Sequence, residues 1–193
     1  MQYMVFLGVI ISLLGIISYI KELLKGKAKP NKITWLMWSI SPLIATAAAI
    51  SDGVKLAILP TFMAGFGPLI VFIISFFYKE SYWKTTKIDY VCGLLSVLAL
   101  VVWYFTKDPN YAIVFSIMSD GMAVIPTWIK AYRHPETEVS MAYFWSALSA
   151  ITSFFAIEAL EVSSIAFPCY LIICNIAMIL VINHKKIFKT KKV

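Results

Sequence analysis

Four kinds of residue in this chain sit where chemistry needs them in an otherwise apolar setting. Asp120 is an acid about ten residues into a long apolar run. Holding a carboxylate at the centre of a membrane costs about 2.5–3.5 kcal/mol on insertion scales, offset by facing it inward, protonating it or pairing it. No Lys or Arg lies at matching depth in any other apolar run. Asp120 is therefore either a functional group beside water or a cation, or a protonated acid hydrogen-bonded between helices. Asn175 lies at similar depth in the last apolar run, and Gly65-Phe66-Gly67-Pro68 in the third. These either present an amide and open backbone to a ligand, or bridge and pack helices closely. Pro42, Pro60, Pro68, Pro126 and Pro168 fall within apolar runs, where each removes a backbone hydrogen bond and makes a kink or a hinge.

The elements that must position these groups follow from composition. Hydrophobic residues make up 61% of the 193 residues, charged ones 14%, and mean hydropathy is +0.83. A soluble domain averages about 45–50% apolar and about 25% charged, so the pattern predicts an all-α membrane protein. Apolar runs at 4–20, 33–50, 56–78, 90–105, 111–129, 139–157 and 162–182 each approach spanning length. Seven spans of about 20 residues leave only short loops. Lys and Arg alternate between them: five in 21–32, three in 79–87, two in 130–133 and five after His184, against Lys55 and Lys107 alone on the other side. Fifteen against two predicts a multi-pass plasma-membrane protein, N-terminus outside and C-terminus cytoplasmic. Met1 to Phe6 lacks the basic n-region of a cleavable signal peptide, so the first run is expected to stay as a helix.

Other classes of function find little support. The charge of +7 comes from short basic runs between apolar spans, which argues for topology signals and against nucleic acid. Cys92, Cys169 and Cys174 lie in apolar runs without CxxC spacing, and His134 and His184 lack partners at ligand spacing. No nucleotide-binding, hydrolase or metalloprotease signature occurs, so neither an enzyme nor a cofactor is expected. Trp35, Trp38 and Trp145 fall near the starts of spans two and six, where an interfacial aromatic belt is expected. Ser140 is expected to cap helix six, and Asn31 or Thr34 helix two. Asp52, Glu158 and Glu161 fall in extracytoplasmic turns.

The two ends of the chain repeat each other. Ile20-Lys21 matches Ile129-Lys130, Trp38-Ser39 matches Trp145-Ser146, Ala49-Ile50 matches Ala156-Ile157, and Pro60 matches Pro168, at offsets of 107 to 109 residues. This predicts a three-helix repeat over residues 1–78, a linker helix with its loops over 79–108, and a second three-helix repeat with a basic tail over 109–193. One intervening span gives both copies the same orientation, the signature of parallel repeats.

This 3+1+3 pattern, with the segment IPTWIKAYRHPETEVSMAYFW, resembles the SWEET, SemiSWEET and PQ-loop transporter superfamily, in a divergent bacterial-type form. Thr127 stands where that family has glutamine, Ile17 and Ser18 replace the Pro-Gln pair of the first copy, and Ser149 stands opposite Pro42. Ala159 and Leu160 occupy the place of the tryptophan that sugar-transporting members set before the pocket asparagine. The resemblance implies alternating access for a small solute, neutral or cationic, sugar-like or proton-coupled. Asp120, Asn175 and Gly67 would bind it, and Pro42 and Pro126 would act as hinges of the gate. The alternative is a non-transporting relative: a receptor, a lipid-binding protein or a subunit of a larger complex. The expected partners are the lipid bilayer and a small solute, with a homo-oligomer left open.

Overall fold

A computed structural model describes residues 4–51, 59–78, 83–106, 109–156 and 162–189. Among them the chain forms seven α-helices and no strand: α1 Met4–Leu24, α2 Lys32–Ser51, α3 Leu59–Phe77, α4 Lys87–Thr106, α5 Pro109–Arg133, α6 Ser140–Ser153 and α7 Val162–Lys189. Short 3-10 turns, Pro135–Thr137 and Phe154–Ala156, precede and follow α6. Three helical stretches, Met4–Leu24, Leu59–Phe77 and Ile165–Ile187, are long and apolar enough to cross a membrane.

Local sequence explains several helix ends. Past Leu24, Gly26 takes φ 72°, and the amides of Gly26 and Lys27 bond back to Leu23 and Glu22, which closes the end of α1. Asn31 caps α2, its Oδ1 accepting from the amides of Ile33 at 3.1 Å and Thr34 at 3.4 Å. Thr34 instead donates across to the Ala123 carbonyl at 2.8 Å. At α4, Asp89 reaches back to the Thr86 amide and hydroxyl, a capping box that starts the helix at Lys87, earlier than hydropathy suggests. Asp89 also accepts from the Asn31 side chain, so the caps of α2 and α4 are joined.

Ser140 does not cap α6. The N-cap is Val139, which makes no side-chain bond, and the Ser140 hydroxyl accepts from Asn183 of α7 at 2.9 Å. α7 runs past Ile182 to Lys189, because Asn183 is held by this bond and by the Ile179 carbonyl at 2.8 Å.

Neighbour relations are regular. α3 packs against both α1 and α2, and α7 against both α5 and α6. α1 lies along α6, α2 meets α5, and α4 rests on α5 and α2. The α1–α6 seam is close because Gly8 and Gly15 leave no side chain there: a Cβ on Gly8 would stand 2.4 Å from the Thr152 hydroxyl, and one on Gly15 3.2 Å from the Ala142 carbonyl. One buried apolar cluster gathers around Tyr19, Leu23, Trp35 and Val71, and another around Val124, Tyr143, Cys174 and Met178; Trp38 packs against both. Leu94, Val101, Val102 and Tyr104 of α4 and Ile173 and Leu180 of α7 are exposed. Such continuous apolar surface marks contact with lipid or with a partner.

Candidate functional site

Between the two apolar clusters lies a cavity of about 150 Å³. Its described walls come from α1, α2, α3, α5, α6 and α7, and not from α4. Asp120, Asn175, Gly67 and Pro42 all border it. Positions scattered over more than a hundred residues are thus brought together.

Asp120 is half-buried, and its Oδ2 accepts a hydrogen bond from the Tyr170 hydroxyl of α7 at 2.7 Å. Cys174 lies one turn beyond Tyr170 and also borders the cavity. Asn175 is buried and donates its Nδ2 to the Leu171 carbonyl at 2.7 Å, which fixes the amide plane. Gly67 is buried under Ile16: an added Cβ would meet the Ile16 Cδ1 at 2.5 Å. Its small size therefore lets α3 approach α1, and the same approach forms the wall of the cavity.

Proline shapes this wall further. Having no N–H, Pro42 leaves the Trp38 carbonyl without its intrahelical partner, and Pro68 does the same for Ala64. Trp38 and Ala64 both line the cavity. Downstream of Pro42, Thr46 donates to the Pro42 carbonyl at 2.7 Å.

Trp35 and Trp38 are wall residues and not a belt. Trp35 is 7% exposed, packs at a tilt against Tyr19 with ring centroids 4.5 Å apart and meets Trp38 edge-on at 5.5 Å. Their indole nitrogens and the Tyr19 hydroxyl are buried. Aromatic residues one turn apart at the start of a helix fit a belt and a wall equally in sequence; only the rotation of α2 decides. Asp52, Glu158 and Glu161 lie outside the described residues.

Pro126 does not reach this cavity. It lines a second hollow, of about 190 Å³, at the end of the bundle where the basic loops lie, beside Trp83, Asp89 and Lys130. Here Lys130 pairs with Glu138, both side chains essentially inaccessible, and donates to the Lys29 carbonyl. Glu138 also accepts from the Tyr143 hydroxyl at 2.8 Å and lies in electrostatic contact with Tyr19. Tyr19 and Tyr143 both border the main cavity. The Lys29 amide bonds to the Thr137 carbonyl at 3.0 Å, so the two loops are tied by backbone as well. Thr127, in the position of the expected glutamine, donates to Thr34 of α2 at 2.9 Å. This buried network is the main element that sequence reading misses. Its signal, a glutamate eight residues after a lysine across a Pro-containing turn, is too common to stand out.

Among the described residues the three cysteines are free, and no group of His, Cys, Asp and Glu could hold a metal ion. His134 sits 3.3 Å from Glu136, and His184 stacks on Tyr132. No protein-family model, curated protein or solved structure matches the chain.

Proposed function

We propose that the chain is a small-solute transporter of the multi-pass, SWEET-like kind, working by alternating access about the central cavity. The observation that carries this reading is the cavity itself, to which six of the seven helices contribute and at which Asp120, Asn175, Gly67 and Pro42 meet. Dry packing of Asp120 and Asn175 on separate faces would have favoured a receptor or structural subunit.

The neighbour relations support a 3+1+3 arrangement. Exchanging α1, α2 and α3 for α5, α6 and α7 turns the α1–α6 contact into the α5–α2 contact, and turns α3 between α1 and α2 into α7 between α5 and α6. A twofold axis along the membrane normal has this effect. α4 is then the linker that carries the chain back across. The basic loops supply the orientation, with the Lys130–Glu138 network on the cytoplasmic side. In this reading the network is a cytoplasmic latch: it joins the loop after α1 to the loop before α6 and closes beneath Tyr19 and Tyr143. Pro126, one turn before Lys130, would let that end of α5 move.

The test is flux. Proteoliposomes containing the protein are loaded with a mass-resolved pool of small neutral and cationic solutes, and retention is compared with empty vesicles. A solute released by wild type and retained by Asp120→Asn supports the proposal. Identical retention in protein-containing and empty vesicles across the pool sinks it.

A further inference from the structure

Resting on the reading of the central cavity as the solute site, we infer that it takes a small organic ammonium and rejects solutes with an anionic group. Its size comes first. A cavity of about 150 Å³ is of the size that holds a benzene ring, which suits a solute of a handful of non-hydrogen atoms.

Charge comes next. Asp120 supplies the one acidic side chain on the described wall, and no Lys, Arg or His lines it. The nearest buried cation on the same end of the bundle, Lys130, is engaged by Glu138. An anion entering here would meet a carboxyl and no compensating cation.

The remaining surface suits a cation with an apolar body. Tyr19, Trp35, Trp38, Tyr143 and Phe167 line the cavity, and aromatic faces attract ammonium groups, tryptophan most strongly. The ammonium would lie among these rings, toward Asp120.

Four probes separate these contributions on the full-length protein in nanodiscs, by isothermal titration and by thermal shift. Choline carries ammonium and hydroxyl, tetramethylammonium lacks the hydroxyl, 3,3-dimethyl-1-butanol replaces the nitrogen with carbon, and glycine betaine adds a carboxylate. Choline and tetramethylammonium are expected to bind, with 3,3-dimethyl-1-butanol and glycine betaine each weaker by about tenfold or more. Asp120→Asn and, independently, Trp38→Leu are expected to weaken choline by about tenfold, and Leu180→Ala on the exposed face of α7 to leave it unchanged. Trp38→Leu keeps the test open if Asp120→Asn does not fold. Equal binding of choline and the neutral alcohol, or of choline and betaine, overturns the ammonium proposal while keeping the cavity as a solute site. Binding of none of the four also overturns it, and the flux of the wider pool then judges the transporter reading separately.

Discussion

The Tyr170 hydroxyl on α7 donates to the Asp120 carboxyl on α5 at 2.7 Å, linking two helices of the second half at the wall of the cavity. Removing the donor leaves a carboxyl oxygen short of a partner in a half-buried site. Tyr170→Phe is expected to cost about 1–3 kcal/mol. Equilibrium unfolding in mixed micelles reads this directly; a loss below a few tenths would mean that water or solute already satisfies Asp120.

Breaking the Lys130–Glu138 pair from one side should be worse than replacing both. Lys130→Met strands a buried carboxylate and is expected to cost about 3–5 kcal/mol, whereas Lys130→Met with Glu138→Leu recovers most of the loss. The same double variant removes the acceptor for Tyr143 and loosens the contact with Tyr19. In a protein with Cys92 and Cys169 replaced by Ser, labelling of Cys174 at the cavity wall by a membrane-impermeant thiol reagent from the basic-loop side should therefore rise. An unchanged labelling rate would show that this network does not close that side.

Two glycines of α3 make a graded pair. A Cβ at Gly67 meets only the flexible end of Ile16, but one at Gly65 stands 3.0 Å from the Ser39 carbonyl and the Leu43 amide, which cannot swing aside. Gly67→Ala is expected to cost about 1–3 kcal/mol as an overpacked site, and adding Ile16→Val should recover part of it. Gly65→Ala should cost more, with no rescue from Ile16→Val. The reverse order in micelle unfolding would contradict the close α2–α3 approach.

Asn31 serves two helices at once. Asn31→Ala removes the cap of α2 and a donor to Asp89, and is expected to cost more than the roughly 0.5–2 kcal/mol of a cap alone. Asn31→Asp preserves the cap acceptor but sets a second carboxylate against buried Asp89. It should be the more damaging of the two at neutral pH, and the gap should narrow on acidification as one carboxyl protonates. Thermal unfolding of the two variants across pH checks both statements.

How much of this was legible in the residues depends on which coordinate of a helix is asked for. Depth along the chain follows from hydropathy, so all seven helices and the similar depths of Asp120 and Asn175 can be read off directly. Rotation about the helix axis cannot, because an element apolar all round has no polar face to orient it. Trp35 and Trp38 accordingly look like interface anchors and lie in the cavity wall. Lys130 reads as one more loop charge because pairing with Glu138 depends on a turn whose path is set by Pro135 and the Thr137 bond to Lys29. Ser140 satisfies the cap preference, yet Asn183 of a distant helix takes its hydroxyl. Helix ends moved for local reasons: the Thr86–Asp89 box starts α4 early, and Asn183 carries α7 into the basic tail.

The bond from Lys130 to position 29 goes to a main-chain carbonyl. Any amino acid at that position offers the same oxygen, so the lysine side chain there is free to change while the one at 130 is not. Half of the junction between the two loops is in this sense immune to point mutation, and can be lost only by altering the length or course of the loop. Insertions between Gly26 and Asn31 should accordingly be far less tolerated than substitutions across the same stretch.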